Sequence, residues 1–220
     1  MSKLPDGCVD LIVADPPYFI NMGHAGSTTN LARSSAQLLT NRTFTDLNIC
    51  APFFKQLFAE IARVLTPEGA FYWFTDWRGY AFYFPLMAAA LPVRNLIVWD
   101  KKSGPGSFYS FAHELVIFGT GRSKTRAGVG TNVWREPGFT SGARATDGDK
   151  VHPTQKPVNL IKKMIMDSTE PGSLVLDPFL GSGSTAVACI ETGREFIGYE
   201  LSPAYFETAQ KRIAEAQART

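Results

Sequence analysis

Short apolar runs alternate along the chain with longer segments in which apolar residues recur every three or four positions. The first pattern predicts buried strands and the second predicts amphipathic helices. Strands are predicted at residues 9–13, 70–75, 95–99, 113–118, 174–176 and 195–200. Helices are predicted at residues 51–64, 80–91, 158–168, 186–191 and 203–218. Because strands and helices alternate, we expect the α/β fold class, with a doubly wound, mostly parallel sheet and helices on both faces.

Length and composition favour a single domain over residues 1–220, because a hydrophobic fraction of 45% supports a substantial core. Cys8, Cys50 and Cys189 are odd in number and far apart, which argues against a disulfide framework or a zinc site. We therefore expect no bound metal and buried thiols in a reducing, cytoplasmic environment. No apolar run approaches the ~20 residues of a membrane span, so we expect no membrane partner.

The first candidate site follows the first predicted strand, where the chain reads Asp15-Pro16-Pro17-Tyr18. Two prolines cannot donate to a sheet, so they end the strand and fix the backbone beyond its carboxyl end. Ligands of open α/β sheets bind at that edge. A carboxylate, a backbone carbonyl and an aromatic ring at one point suit a flat substrate that carries an amino group. A surface turn with a packed tyrosine is the simpler interpretation, since double prolines are common in loops.

A second candidate site is a glycine-rich turn after the strand at residues 174–176. Glycines allow close approach of the backbone to a ligand, and the following helix start offers free N–H groups. Glu200 follows the next strand about twenty residues later, the spacing at which a carboxylate binds ribose hydroxyls. The Gly-x-Gly-x-x-Gly fingerprint is absent, which disfavours a dinucleotide.

Three motifs in this order closely resemble the DNA amino-methyltransferases that use S-adenosylmethionine. They are Asp15 to Tyr18, His152-Pro153-Thr154-Gln155-Lys156-Pro157, and Asp177-Pro178-Phe179-Leu180-Gly181-Ser182-Gly183-Ser184-Thr185. Since the catalytic motif comes first and the cofactor motif last, the chain is similar to the permuted beta class over nearly its whole length. The resemblance implies a Rossmann-like methyltransferase fold with permuted motif order, S-adenosylmethionine as the cofactor, and DNA methylation of the restriction-modification type.

The resemblance also implies roles for individual residues. Asp15 and the Pro16 carbonyl would each accept one hydrogen of the target amine, with Pro17 holding the turn and Tyr18 stacked on the base. Thr154 and Lys156 would contact the methionine end of the cofactor. The full set of expected cofactor-binding residues is Asp15, Thr154, Lys156, Asp177, Pro178, Phe179, Gly181, Ser182, Gly183 and Glu200. His152 is expected to be a structural hydrogen-bonding group.

Residues 120–151 form the expected target-recognition insert between a catalytic half, residues 1–119, and a cofactor-binding half, residues 152–220. Cations alternate with glycines there, which suits phosphate contacts, and Trp134 or Phe139 is a candidate for stacking on DNA. The expected DNA-binding residues are Arg122, Lys124, Arg126, Arg135 and Arg144. The net charge of +2 means that DNA binding must come from such a local patch. The expected partner is double-stranded DNA with a flipped target base, and a homodimer is an open possibility.

Several alternatives remain at this point. Asp15 favours adenine, whereas relatives that act on the cytosine amine more often carry serine there. RNA or protein-glutamine methylation is a second alternative, and a cofactor-binding recognition partner without catalysis is a third. Asp76, Trp77 and the turn at residues 100–106 are candidates for the base pocket, with packing or solvation as the equal alternative. Residues 19–48 predict a loop beside the site, and relatives carry a further strand and helix before the first motif.

Overall fold

The computed structural model describes residues 1–17, 47–102, 104, 108–123, 130–138 and 155–220. Its strands are β1 (Val9–Ala14), β2 (Leu65–Thr75), β3 (Val93–Asp100), β4 (His113–Thr120), β5 (Val133–Arg135), β6 (Leu174–Asp177) and β7 (Glu195–Gly198). Its helices are α1 (Leu47–Val64), α2 (Trp77–Ala88), α3 (Val158–Ser168), α4 (Ser184–Thr192) and α5 (Pro203–Gln217).

The strands form one sheet in the order β5-β3-β4-β2-β1-β6-β7. β1 pairs in parallel with β2 on one side and with β6 on the other. β4 runs antiparallel to both of its neighbours, β2 and β3, while β7 and β5 are parallel to β6 and β3. The predicted mostly parallel sheet is confirmed. Because β1 and β6 are adjacent and parallel, the two candidate motifs that follow them lie side by side.

Helices cover both faces of the sheet, as the alternating side chains of β1 require. Leu11 and Val13 join the core under α3 and α4, whereas Ile12 and Ala14 join the core under α1 and α2. The polar residue in this strand, Asp10, accepts a hydrogen bond from the backbone N–H of Leu174 at 2.9 Å. Its carboxylate therefore ties the start of β6 to the start of β1.

Three of the boundaries that differ from the predicted ones are the starts of β2, α2 and α1. β2 begins at Leu65, before the residues at 66–69 that were expected to interrupt the chain. Its pairing with β1 shifts register between Val9 and Leu11, and this irregularity accommodates those residues within the strand. α2 begins at Trp77 because Asp76 caps it, accepting a hydrogen bond from Gly79 N at 2.7 Å. α1 begins at Leu47, inside the segment expected to be a loop. The rest of that loop lies outside the described residues.

β5 is an element that the sequence pattern did not predict. It lies inside the expected target-recognition insert and pairs with the end of β3, so that part of the insert extends the sheet. Trp134 is only 9% exposed, its ring lies 5.9 Å from that of Tyr72, and its indole N–H donates to the Thr131 carbonyl. The expectation that Trp134 stacks on DNA is therefore wrong, because the ring is part of the core. Phe139 lies outside the described residues.

Candidate active site

Asp15 lies directly beyond the carboxyl end of β1, at the edge of the sheet where β2 and β6 also end. Pro16 is buried beside it and Pro17 is exposed. Asp15 Oδ2 accepts a hydrogen bond from Lys156 Nζ at 2.7 Å. Tyr18 and Thr154, two further predicted site residues, lie outside the described part of the chain. The structure thus brings the first and second motifs together through one partly buried ion pair.

Lys156 also contacts a second carboxylate. Its Nζ lies 3.3 Å from Oε2 of Glu114, whose other oxygen accepts from Lys101 Nζ at 3.0 Å. The ammonium group lies 4.9 Å from the centre of the Phe74 ring, a cation–π contact. We call the set of Asp15, Lys156, Glu114 and Lys101 the charge chain. It runs along the sheet edge from β1 to β3 and contains two carboxylates and two ammonium groups.

The environment of Lys156 keeps this side chain charged. Burial by itself lowers the pKa of a lysine, but the attraction of Asp15 and Glu114 outweighs burial, so its pKa lies above the usual value. A buried cation between two carboxylates is an anchor for both. Lys156 is placed there by Pro157, which occupies the N-cap position of α3.

Asp177, the last residue of β6, holds the glycine-rich turn that follows. Its two carboxylate oxygens accept from Phe179 N at 2.9 Å and from Thr185 Oγ1 at 2.6 Å, so the two ends of the turn are tied to one side chain. Gly181 and Gly183 have positive φ angles of 54° and 84°, which favour glycine. The side chain of Phe179 points back and packs edge-on against the Trp73 ring.

Two side chains from outside the turn hold its backbone. Glu200 accepts from Gly181 N at 2.8 Å with one oxygen and from Ser202 N at 2.7 Å with the other. Arg212 on α5 donates to the Ser182 carbonyl at 2.8 Å and to the Ser182 hydroxyl at 3.1 Å. Ser182 is buried and Pro178 is half-buried. The turn is therefore held in place by charged groups on both sides.

Asp177 has a strongly perturbed carboxyl group. Burial raises its pKa to about 7, the hydrogen bonds from Thr185 and Phe179 oppose that shift, and the negative charges of Asp15 and Glu200 add to it. Asp15 follows the strand next to β6 and Glu200 binds the turn after β6, so both carboxylates lie in the neighbourhood of Asp177. Such a site attracts a cation, and strongly perturbed carboxyl groups are frequent at functional sites.

Aromatic side chains are exposed along the same edge. Trp77, at the start of α2, is 58% exposed, with the Arg78 guanidinium 4.6 Å from its ring centre. Phe108 and Tyr109, between β3 and β4, are 97% and 90% exposed. Because β4 starts where β1 and β2 end, these rings project from the sheet edge that carries Asp15. Trp77 is therefore not a packing residue, while Asp76 is accounted for by its capping role.

The predicted DNA-binding cations separate in space. Arg135 ends β5, on the same edge as Asp15, and is 3.6 Å from Asp100 with 76% of its side chain exposed. Arg122 follows β4, so it lies at the opposite edge of the sheet. Lys124, Arg126 and Arg144 are outside the described residues. The structure thus places one of the five beside the candidate site and one away from it, and their contacts with DNA stay predictions.

Glu114 and Arg212 are site residues that the sequence did not single out, whereas Lys101 belongs to the turn at residues 100–106 that was a candidate for the base pocket. Each lies within a regular element or next to one, where a charged residue is usually just exposed. Within the described ranges, no group of three or more His, Cys, Asp or Glu residues is arranged to hold a metal ion. None of the described helices has the length and apolar character needed to cross a membrane.

Comparison with known sequences decides the family. The profile of N6_N4_Mtase, a DNA methylase family, matches residues 9–211. The chain belongs to this DNA methylase family. The family prediction made from the three motifs is confirmed, and with it DNA methylation as the family's activity and the expected Rossmann-like methyltransferase fold.

Individual DNA methylases match nearly the whole chain. The Type II methyltransferase M.HinfI of Haemophilus influenzae is 27% identical over 235 residues, covering 98% of this chain and 66% of the relative. The Type II methyltransferase M2.MboI of Moraxella bovis is 27% identical over 234 residues, covering 98% of this chain and 84% of the relative. The crystal structure of the M1.HpyAVI–SAM complex shares the fold, with a TM-score of 0.64, 23% identity, and coverage of 96% of this chain and 90% of that one.

Proposed function

We propose that this chain transfers a methyl group from S-adenosylmethionine to the exocyclic amino group of adenine in DNA, with Asp15 as the group that accepts a hydrogen of the amine. One observation carries the proposal. Asp15 and the glycine turn at Gly181 follow adjacent parallel strands, so an amine at Asp15 and a ligand on the turn would meet at the same edge. Ligands of open α/β sheets bind in this position.

The residues of the turn fit the cofactor. Among the described residues, a Cβ placed on Gly181 would have only the Phe179 carbonyl within 4 Å, which favours close approach of a ligand to the backbone there. The sulfonium and ammonium groups of S-adenosylmethionine are cations, which suits the shared neighbourhood of Asp15, Asp177 and Glu200. In this proposal, Asp177, Pro178, Phe179, Ser182 and Gly183 shape the turn, and Glu200 faces the ribose. Lys156 and Thr154 serve the methionine end.

Asp15 and Pro16 supply the protein's share of the chemistry. The lone pair of an adenine amine is delocalised into the ring, so the nitrogen is a weak nucleophile. When the Asp15 carboxylate and the Pro16 carbonyl each accept one amine hydrogen, the nitrogen becomes more tetrahedral and its lone pair is localised. A cofactor bound on the glycine turn would supply an activated methyl group to this nitrogen, with the carbon–sulfur electron pair kept by sulfur. The surplus proton of the methylated amine would be lost to solvent. Positioning and electrostatics are thus the protein's role.

Double-stranded DNA with a flipped base is the proposed substrate. A base cannot reach Asp15 inside a duplex, and extrusion costs a few kcal/mol. The exposed rings of Trp77, Phe108 and Tyr109 stand on the same edge and suit stacking on bases. Tyr18, from the first motif, is assigned to the face of the flipped base. A homodimer, the further partner expected from the sequence, stays a prediction.

The test is incubation of the protein with tritiated S-adenosylmethionine and unmethylated genomic DNA, followed by digestion to nucleosides. We expect label in N6-methyladenine and none when Asp15→Ala replaces the wild type. Label in N4-methylcytosine would support methyl transfer to an exocyclic amine and would overturn adenine as the target base. Absence of label in DNA, with label in RNA or protein added in parallel, would overturn the substrate.

A further inference from the structure

We propose that Glu114 and Lys101 set the net charge beside Asp15, so that the site distinguishes the cationic methyl donor from the neutral thioether left after transfer. The proposal rests on the proposed function. It gives a binding role to Glu114, which contacts Lys156, and to Lys101, which contacts Glu114. Both are positioning residues, acting through Lys156 and Asp15.

The arrangement of the charge chain supports this role. Lys156 Nζ binds both Asp15 Oδ2 and Glu114 Oε2, while Lys101 neutralises the other oxygen of Glu114. The side chains of Lys156, Lys101 and Glu114 are only 8%, 12% and 17% exposed. Two carboxylates and two ammonium groups sum to zero. Because the groups are largely withdrawn from water, solvent and salt screen that balance weakly.

The antiparallel strand β4 explains why Glu114 is in reach. β4 starts at the edge where β1 and β2 end, so its second residue stands at the carboxyl end of the parallel strands. Lys101 follows β3 and returns to the same place, where its backbone N–H donates to the Ala112 carbonyl at 2.7 Å. Two neighbouring strands thus deliver one anion and one cation to the site.

The charge balance matters because the two ligands differ by one unit of charge. S-adenosylmethionine carries a sulfonium, and S-adenosylhomocysteine carries a thioether with the same amino acid, ribose and adenine. If Asp15 binds the amine, the sulfonium lies within about 10 Å of the charge chain, since reacting atoms approach to about 3 Å. One added unit charge at that range changes the affinity for a cation roughly three- to tenfold.

Replacing Glu114 and replacing Lys101 should therefore shift the preference between the two ligands in opposite directions. Glu114→Gln leaves the chain with a net charge of plus one, which disfavours the sulfonium against the thioether. Lys101→Gln leaves it at minus one, which favours the sulfonium. The double variant returns the sum to zero. A loss of packing or of local order would instead affect both ligands alike, because they occupy the same turn.

Isothermal titration calorimetry of each full-length variant with both ligands provides the test, and the readout is the ratio of the two dissociation constants. We expect Glu114→Gln to shift the ratio roughly three- to tenfold toward S-adenosylhomocysteine and Lys101→Gln to shift it by a similar factor the other way. The double variant should lie within about twofold of wild type. Asp167→Asn, which breaks the Lys163–Asp167 pair at the far end of α3, is the control and should leave the ratio unchanged.

Equal loss of both ligands in Glu114→Gln, or shifts of the same sign in the two single variants, would overturn the proposal. If Glu114→Gln fails to fold, Lys101→Gln and the double variant still give the sign. A wild-type protein that binds neither ligand would overturn the proposed function as well. If the variants bind both ligands and the ratio of the two dissociation constants is the same as in wild type, only the role proposed for Glu114 and Lys101 is overturned.

Discussion

Asp15 is held by the buried side chain of Lys156. Its replacement should therefore test the role of the carboxylate in methyl transfer. Asp15→Ala removes the acceptor of the amine hydrogen, a contact in the class whose loss costs about 10²- to 10⁴-fold. We expect single-turnover methyl transfer to fall by at least about tenfold at saturating cofactor, with the fold and much of the cofactor affinity retained. Because this variant leaves the charge chain with a net charge of plus one, cofactor affinity should fall only about three- to tenfold, as in Glu114→Gln. Lys156 keeps Glu114 as a partner in this variant. Turnover within about tenfold of wild type would contradict the role.

Asp177 gives a pH dependence whose sign follows from its raised pKa. Its pKa of about 7 lies above the usual 3.8, so the folded chain binds more protons than the unfolded chain between about pH 4 and pH 7. This residue's contribution to stability therefore falls as the pH rises through that window. A cationic cofactor favours the carboxylate, so cofactor binding should release a proton. We expect affinity to rise about tenfold from about pH 6 to about pH 8.

Calorimetry at these two pH values, in buffers of different ionisation enthalpy, measures both the affinity and the proton release. Asp177→Asn is the control, because it removes the titrating group and keeps one oxygen acceptor for the turn. Its affinity should change little with pH. A wild-type protein with equal affinity at both pH values would show that Asp177 keeps the same protonation state in the complex.

At the scale of the elements, Gly181 in the glycine-rich turn can be compared with Gly172, a glycine of similar backbone conformation outside that turn. Gly181 and Gly172 both have positive φ angles, 54° and 83°, and a Cβ at either position meets no atom of the described residues closer than 3.9 Å. Gly181→Ala and Gly172→Ala should therefore each cost about 1 kcal/mol of stability from backbone strain. Only Gly181→Ala should also weaken cofactor binding, by about tenfold or more. Thermal melts and calorimetry separate the two effects, and equal cofactor affinity in both variants would remove Gly181 from the site.

Elements with a strong local pattern were predictable from the sequence, and those set by distant partners were not. The run before Asp15 and the helix after Pro157 follow from apolar spacing and proline chemistry, and α3 has its predicted bounds. β5 has only three residues among glycines, so its pattern is too short to recognise. Glu114 lies at the candidate site because β4 is inserted antiparallel between β2 and β3. The sequence around Glu114 contains no local pattern that predicts this strand order.

At the scale of the whole molecule, DNA binding can be tested with the two described cations of residues 120–151. Arg135 provides the test and Arg122 provides its control. Each phosphate contact contributes about −0.9 to the slope of log affinity against log salt. Arg135 is on the edge that carries Asp15, so Arg135→Ala should flatten the slope for a DNA duplex by about 0.9. Arg122 is at the opposite edge, and Arg122→Ala should change the slope less.

Fluorescence anisotropy with a labelled duplex at several salt concentrations measures both slopes. Lys3→Ala, an exposed cation that precedes β1, is a second control. If Arg122→Ala flattened the slope as much as Arg135→Ala, the DNA would have to reach the other edge of the sheet. If neither did, the phosphate contacts would lie in segments such as residues 18–46.

The pairing of β1 with β6 also determines when the protein can become active during its own synthesis. β1 is made first, yet its hydrogen bond from Leu174 to Asp10 spans 164 residues, and the Lys156–Asp15 pair spans 141. Contacts of such sequence separation make folding slow, because a long loop must close before they form. The nascent chain therefore carries Asp15, the proposed amine-binding residue, before the glycine turn proposed for the cofactor has been made. A ribosome stalled before residue 174 would display an inert intermediate with one side of its central strand unpaired.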